Sequence, residues 1–328
     1  MRWEASVKRI MEEIIPLLPE DVENVINYPV TKNNGIVYTG LVIQNAQNIA
    51  PTIYLNPYYQ QYLAGRSFEA ILSDIADTYK KNSRVEDFDA RRMFEWEFVK
   101  THVVRKLVNY EQNQELLENM PHKRVEDLAI LYQISVGDIF DNEDYATVTI
   151  QNDYLKKWDI TLEELDNASV ENTRSLLSPR LDSLSDVFSN ITGDSLPFLE
   201  EMNVHILTNR LKINGAVHVV DMDVMESVAK AFGEKAFYVI PSSVHEVLLL
   251  PFSDEYDCQE LEDVIKEVNE TQLMEEEVLS DRAYVVDVQA RKFMLAAKYT
   301  DYKKEQELKM RQQELQKEYQ EPEKKLKL

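Results

Sequence analysis

The 328-residue chain carries 59 Asp and Glu against 36 Lys and Arg, which gives it a formal net charge of −23. This excess of negative charge argues against nucleic acids and anionic membrane surfaces as partners, because both are bound through clustered cations. The length and the 44% content of hydrophobic residues suffice for one large domain or two smaller ones.

Three features bear on the cellular compartment. A single cysteine, Cys258, allows no intrachain disulfide, which is typical of a reducing cytosol. The N-terminal residues lack the apolar core of a signal peptide, and no stretch reaches the apolar length that a membrane-spanning helix needs. The sequence therefore predicts a soluble cytoplasmic protein with no membrane partner.

The first half of the chain predicts a helix followed by strands. Residues 2–15 carry apolar side chains at helical spacing, and the runs Val22–Tyr28 and Ile36–Ile43 have the composition of strands. An Asn-Gly pair within 32–35 favours a hairpin between these strands, because these two residues tolerate positive φ angles. A third strand, Thr52–Leu55, is predicted to lead into a helix.

Asn56 is predicted to cap that helix, with Pro57 at its first position and Gly65 at its end. A second helix over 68–81 follows the i, i+3, i+4, i+7 pattern. Residues 86–118 are ambiguous between helix and strand. The remaining strands and turn predicted in this half are Leu128–Ile134, Tyr145–Ile150 and the turn Asp141–Asp144.

Helix starts are clearest in the second half. Thr161 and Glu164 form a capping box, in which each side chain accepts a backbone N–H of the first turn. A helix over 222–232 is predicted with Asp221 as its N-cap. Residues 174–200 predict a helix inside a looser connection. The predicted strands are Val204–Leu207, Ala216–Val220 and Ala283–Val288.

The central element is a hairpin over Phe237–Pro251. Two runs of β-branched, aromatic and aliphatic residues flank a Pro-Ser-Ser break, and their apolar character predicts strands that are covered on both faces. Asp257 is predicted to cap the helix that follows. The residues of its predicted buried stripe are Leu261, Val264, Ile265 and Val268.

Residues 298–328 differ in composition from the rest. They include nine Lys or Arg, seven Asp or Glu and few apolar residues, which predicts an exposed helical tail. A chain truncated after Ala297 is therefore expected to keep its thermal midpoint. The predicted fold class is α+β, with mixed, mainly antiparallel sheets, hairpins, packed amphipathic helices and this charged C-terminal helical tail. The predicted domains are residues 1–145, 146–297 and the tail 298–328.

Five stretches are together specific to one family: Pro51–Tyr59, Leu107–Glu111, Tyr238–Pro251, Val268–Gln272 and Val278–Asp281. They resemble an uncharacterised bacterial domain-of-unknown-function family, and the resemblance covers about residues 1–290. It implies a soluble bacterial α+β protein. It brings no known activity, and therefore no catalytic residues to transfer.

Two pairs of polar residues are candidates for hydrolytic chemistry. Ser243 and His245 would share one face of an extended strand, although a serine nucleophile also needs a group that orients its histidine base. The favoured interpretation gives this pair turn and strand roles. Asp221 and Asp223 resemble the D-x-D of haloacid-dehalogenase-like phosphohydrolases, in which the first carboxylate is the nucleophile. Met225 departs from that pattern, and capping of a helix is the alternative.

Neither a metal nor a cofactor is expected. The five histidines are scattered, and no C-x-x-C pair supports a transition-metal site. The Asp141–Asp144 run lacks the spacing and the glycine of a calcium loop. Glycine-rich loops that hold nucleotides are missing from the sequence.

The sequence contains one candidate binding surface. Tyr54, Tyr58, Tyr59 and Tyr62 cluster at a strand–helix junction, where they form a recognition surface or pack the helix onto the sheet. The packing role is the favoured interpretation. The function predicted is a non-enzymatic module that binds a protein partner through its acidic body. The alternative is a hydrolase that uses one of the two polar pairs above.

Overall fold

The structure is a computed structural model that describes residues 2–45, 52–82, 90–136, 146–194 and 196–320. These residues form helices and antiparallel strand pairs, which confirms the predicted α+β class. The chain divides into two compact units. Unit 1 comprises Met1–Arg105, Tyr110–His122 and Leu131–Leu176, and unit 2 comprises Lys106–Asn109, Lys123–Ile130 and Leu177–Leu328. Compactness does not test independent folding, so the domain division 1–145 and 146–297 stays a prediction.

Among the described residues, the first 176 contain seven α-helices and seven strands. The helices are α1 (Trp3–Glu13), α2 (Leu55–Leu63), α3 (Phe68–Asn82), α4 (Trp96–Val99), α5 (Gln114–Leu117), α6 (Asn152–Trp158) and α7 (Leu162–Leu176). The strands are β1 (Val22–Thr31), β2 (Val37–Asn45), β3 (Thr52–Tyr54), β4 (Val103–Asn109), β5 (His122–Val125), β6 (Leu128–Ser135) and β7 (Thr147–Thr149). The predicted turn Asp141–Asp144 lies outside the described residues.

A three-stranded sheet of unit 1 has the strand order β1-β2-β3. β1 and β2 pair antiparallel, with Val25 opposite Ile43 and Pro29 opposite Thr39. At the turn between them, Asn34 and Gly35 have φ angles of 59° and 72°. These are the positive values that the Asn-Gly pair predicts, so the hairpin is confirmed.

The predicted cap of α2 is wrong. The helix begins at Leu55, and its N-cap residue is Tyr54, which makes no side-chain capping bond. Asn56 instead accepts the backbone N–H of Thr39 through its Oδ1, at 2.7 Å. The amide side chain therefore binds the neighbouring strand β2, which competes with the local capping geometry.

The core of unit 1 joins this sheet to α1, α2 and α3. Apolar residues at helical spacing on α1 and α3 meet the side chains of one sheet face, as their sequence periodicity predicts. The buried residues of this core are Val7, Ile10, Ile14, Leu41, Ile43, Ile53, Leu55, Phe68, Ile71, Leu72, Ile75 and Tyr79.

Unit 2 is built on a six-stranded sheet. Its strands are β8 (Pro179–Ser183), β9 (His205–Asn209), β10 (Ala236–Pro241), β11 (Val247–Pro251), β12 (Tyr284–Asp287) and β13 (Lys292–Leu295), in the order β13-β12-β10-β11-β9-β8. The helices are α8 (Leu184–Thr192), α9 (Pro197–Met202), α10 (Met222–Phe232), α11 (Cys258–Gln272) and α12 (Ala296–Gln320). The segment 174–200 thus contains β8 and α8, of which the sequence predicted only a helix.

The predicted hairpin is the centre of this sheet. β10 and β11 pair antiparallel, with Val239 opposite Leu249 and Tyr238 opposite Leu250. All four side chains are at most 5% exposed although they alternate between the two sheet faces. Both faces of the hairpin are therefore covered, and the prediction of a central strand pair is confirmed.

The predicted strand Ala216–Val220 is wrong. Residues Gly215–Val220 form a 3-10 helix that follows Asn214 in the left-handed conformation. A Cβ on Gly215 would lie 2.6 Å from the hydroxyl of Thr208 and 2.7 Å from the backbone oxygen of His245. Only glycine permits so close an approach, and the chain turns at that point.

The predicted buried stripe of α11 is partly wrong. Ile265 is 2% exposed, but Val264 and Val268 are 59% and 41% exposed. The buried face contains Asn269 instead, whose amide donates to the backbone oxygen of Ser280 at 3.1 Å. The carboxylate of Glu262 also accepts from Arg282, at 2.8 Å. The bonds of Asn269 and Glu262 together turn this face of the helix inward.

The tail is helical as predicted, but one side of its first turns is buried. Tyr299 is 5% exposed, and its hydroxyl donates to Asp287 at 2.9 Å. Lys303 forms an ion pair with Asp254 at 2.9 Å. From Lys304 to residue 316 the side chains are exposed, apart from the half-buried Gln306. The aromatic side chain at 299 therefore packs the start of α12 into the core of unit 2.

Candidate functional site

Ser243 and His245 lie in the connection between β10 and β11. The Ser243 hydroxyl oxygen accepts the backbone N–H of His245 at 3.0 Å, which is a turn-stabilising bond. The His245 backbone oxygen accepts the hydroxyl of Thr208 at 2.9 Å. Among the described residues, the serine and the imidazole thus bind backbone groups rather than each other. A catalytic role for the pair stays a prediction.

The imidazole of His245 is held in its neutral form. Its Nδ1 accepts the backbone N–H of Asn214 at 3.1 Å, so the ring proton lies on Nε2. Burial lowers the pKa of His245, while the carboxylate of Glu277, 3.9 Å from Nε2, opposes that shift. The ring is therefore an acceptor that fixes the loop at 214.

Asp221 and Asp223 lie at the start of α10. The Asp221 carboxylate accepts the backbone N–H groups of Asp223 and Val224 at 3.1 and 3.4 Å, so the predicted N-cap is confirmed. Asp223 forms an ion pair with Arg291 at 2.7 Å. The Glu226 carboxylate contacts the same guanidinium. The phosphohydrolase interpretation of the two aspartates stays a prediction.

Four of the five stretches that carry the family resemblance contribute to one polar cluster in unit 2. The Asn109 amide donates to the backbone oxygen of Leu279 at 3.2 Å, and the Val244 backbone N–H donates to that of Glu277 at 2.8 Å. Asn269 binds the backbone oxygen of Ser280, the residue after Leu279. These bonds hold the chain ahead of β12 in place.

A half-buried carboxylate completes this cluster. Asp127 accepts the hydroxyl of Ser280 at 3.0 Å and that of Tyr284 at 2.8 Å. Burial and the Asp127 charge raise the pKa of Tyr284 well above its usual value, so its hydroxyl stays protonated as a donor. Since each polar group has a partner within the fold, the cluster serves to position the segment 277–284.

The four candidate tyrosines contact different neighbours in unit 1. Tyr58 and Tyr62 pack against the core of unit 1, as the favoured interpretation predicts. Tyr59 contacts the ring of Trp3, with 4.9 Å between ring centroids. The Lys32 amino group lies 3.6 Å from the ring centroid of Tyr54. A binding role for these residues stays a prediction.

A groove of about 480 Å³ lies beside this aromatic cluster, between α1 and the first two strands. Trp3, Val7 and Met11 give it an apolar wall, and Asn27 and Thr39 line it from the strands. The remaining lining residues are Glu4, Lys8 and Glu12.

The strand β1 borders this groove and is exposed along its length. No charged residue occurs within Asn24–Thr31, and only Val25 and Val30 of this stretch are half-buried. Ile26 and Tyr28 are 36% and 41% exposed. We call Asn24–Thr31 together with the groove the β1 surface. Sequence reasoning missed it, because a run of eight uncharged residues gives no distinctive signal beside the longer uncharged run 33–65.

Two kinds of feature are absent from the described residues. No helix within them is long and apolar enough to cross a membrane. In the same ranges, no group of three or more His, Cys, Asp and Glu side chains is arranged to hold a metal ion. The expected absence of a metal and a cofactor stays a prediction.

The fold and the sites define an α+β protein whose candidate polar groups are engaged in structural bonds. A model of a family of unknown function (DUF5688) matches residues 3–287, and the chain belongs to this family. This confirms the family resemblance, whereas the implied bacterial origin stays a prediction. Comparison with curated proteins gave no match, and comparison with solved structures gave none either.

Proposed function

We propose that this protein is a non-enzymatic interaction module that binds a protein partner through the β1 surface. One observation carries the proposal: an exposed, uncharged strand lies beside a groove with one apolar wall, in a chain of net charge −23. Exposed aliphatic and aromatic side chains without charges are typical of interface centres, where charged residues are depleted. Ile26 and Tyr28 supply such side chains.

The bonding of the catalytic candidates supports the same proposal. Asp221 caps α10, and Ser243 accepts a turn N–H. The Nδ1 atom of His245 accepts the Asn214 N–H. A general base needs this nitrogen, either to accept a proton or to bind the group that orients the ring. Each of these groups therefore already has a structural role in the fold.

Site-specific photo-crosslinking in the native cell tests the proposal. A photoreactive amino acid replaces Ile26 in one variant and the exposed Lys230 of α10 in a matched control. We expect one protein to crosslink at position 26 and not at 230. The identified protein is then purified and titrated calorimetrically against the wild type and Ile26→Asp, which should bind at least tenfold more weakly because a charge enters the uncharged surface.

Two results would contradict this function. One is equal crosslinking at both positions, or none at 26. The other is a hydrolytic activity, in a broad substrate screen, that Ser243→Ala or Asp221→Asn abolishes while the thermal midpoint is retained. The latter would favour the hydrolase alternative.

A further inference from the structure

β1 is the outermost strand of its sheet. In the order β1-β2-β3 it has β2 on one side, and no other described strand pairs with its opposite side. An outer strand presents a row of backbone N–H and C=O groups, and natural proteins commonly protect such edges with charged side chains or proline. Between residues 24 and 31, β1 has one such device, Pro29.

The ladder between β1 and β2 determines which backbone groups face outward. The Lys32 N–H donates to the oxygen of Ile36 at 2.6 Å, and the Thr39 N–H points away from β1 to Asn56 at 2.7 Å. Pro29 and Thr39 are therefore opposite each other as a non-hydrogen-bonded pair. Because such pairs alternate along an antiparallel ladder, the N–H and C=O groups of Val25 and Asn27 also point outward.

We propose that an extended segment of the partner adds to the outer edge of β1 along Val25–Tyr28, as a fourth strand of this sheet. The inference rests on the proposed function and specifies how the partner binds. Main-chain bonds to Val25 and Asn27 hold the segment. Its residues opposite these two lie on the same sheet face, where Asn27 lines the groove.

The groove determines the side chains of the segment. Trp3, Val7 and Met11 favour apolar residues at the alternate positions that face α1. The exposed Glu4 and Glu12 border these positions, and Lys8, 3.9 Å from Glu12, neutralises one of the two. Together with the net charge of −23, these carboxylates favour Lys or Arg at the ends of the segment.

Pro29 limits the length of the added strand. It has no N–H to offer at the outer edge, so continuous pairing ends near Tyr28. The partner segment is therefore short, on the order of five residues in extended conformation, with apolar residues at every second position.

A displayed library of linear random peptides, panned against the full chain, supplies the probe. We expect the enriched peptides to alternate apolar and polar residues and to carry flanking Lys or Arg. The best peptide is synthesised with a fluorophore, and its affinity is measured by fluorescence anisotropy. Enrichment of helical or acidic peptides instead would overturn the proposal.

A matched pair of substitutions at one position separates backbone from side chain. Asn27→Pro removes an N–H that points away from β2. Pro29, two residues further along the strand, occupies an equivalent position and leaves the ladder with β2 intact. We expect Asn27→Pro to weaken peptide binding at least tenfold, about the loss of one well-formed bond in a dry site. Asn27→Ala keeps the N–H and should bind within about threefold of the wild type.

N-methylated peptides test the same claim without changing the protein, should Asn27→Pro fail to fold. Methylation of the peptide nitrogens that face β1 should abolish binding, and methylation of the alternate nitrogens should not. Equal effects of both, or equal affinity of the two Asn27 variants, would overturn strand addition and leave the interaction function standing.

The same tests show whether a second copy of the chain, rather than a partner segment, occupies the outer edge of β1. If the chain dimerises by light scattering and Asn27→Pro restores the monomer, a second copy occupies β1 and the inference is wrong. If no peptide is enriched while the partner still crosslinks at position 26, strand addition alone fails. If no peptide is enriched and nothing crosslinks there, the proposed function fails as well.

Discussion

Truncation of α12 tests the docking of the tail. Removing residues 298–328 deletes Tyr299, which is 5% exposed and donates to Asp287. Loss of a buried aromatic side chain costs about 3–5 kcal/mol, and the lost bond to the carboxylate falls within this range. Burial and the bond to Asp287 raise the pKa of Tyr299, so the phenol remains a donor at neutral pH. The half-buried Tyr302 is lost with it.

The expected change in thermal midpoint is large. For a unit of this size, 1 kcal/mol corresponds to about 2–4 °C, so a chain that ends at Ala297 should unfold roughly 6–20 °C lower. A chain that ends at Lys304 is the matched control. Among the described side chains, 305–316, it loses exposed ones and the half-buried Gln306, and it should keep its midpoint within about 2 °C. Calorimetry measures both; an unchanged midpoint in the shorter chain would refute the docking.

Two further predictions concern the central hairpin. Leu249→Ala should lower the free energy of unfolding, measured with denaturant, by about 2–5 kcal/mol, because Leu249 is 1% exposed. Leu248 is half-buried, so Leu248→Ala should cost less than half as much. Equal costs would contradict the assigned register. His245 has a lowered pKa in the folded chain, so the unfolded chain binds a proton first as the pH falls below about 6.5, and the folded state loses stability there. The destabilisation caused by His245→Gln should therefore be smaller at about pH 5.5 than at about pH 7.5, and a gap that widens on acidification would disprove the neutral ring.

Local rules predicted the parts of the fold that local bonds determine. The capping box is one case, since the Thr161 hydroxyl accepts the backbone N–H of Glu164 at 3.2 Å and the carboxylate accepts that of Thr161 at 2.8 Å. Asp221 behaves in the same way. In each case the side chain and its backbone partner are at most three residues apart, so the sequence contains both members of the bond.

Predictions failed where a distant partner decided the conformation. Residues 215–219 are all buried, and a fully buried run has no period that distinguishes a strand from a turn of helix. The stripe of α11 failed for a related reason. Its valines and leucine suggest one buried arc, but Asn269 and Glu262 bind residues 280–283, which rotates the buried face toward Ile265. Those partners lie beyond any window in which helical periodicity is measured.

The site predictions show the same distinction. Sequence spacing placed Ser243 and His245 on one strand face, but it contains no information on Asn214 or Thr208, which bind the imidazole and the backbone at 245. The docking of Tyr299 was missed because two neighbouring aromatic residues, Tyr299 and Tyr302, are too few to give a periodic signal in a long Lys- and Glu-rich helix. Burial of such a residue depends on the pocket that unit 2 provides, not on its neighbours in sequence.

The exposed edge of β1 connects the charge of the chain with the choice of partner. An uncharged outer strand invites pairing with any extended chain, including a second copy. Two copies of a chain with net charge −23 repel each other at long range, and this repulsion weakens self-pairing while it attracts a basic segment. Pro29 adds a second restriction, since it limits pairing to the few residues beside the groove. A short basic strand with apolar alternate residues satisfies both conditions, and high salt should weaken its binding before it affects the fold.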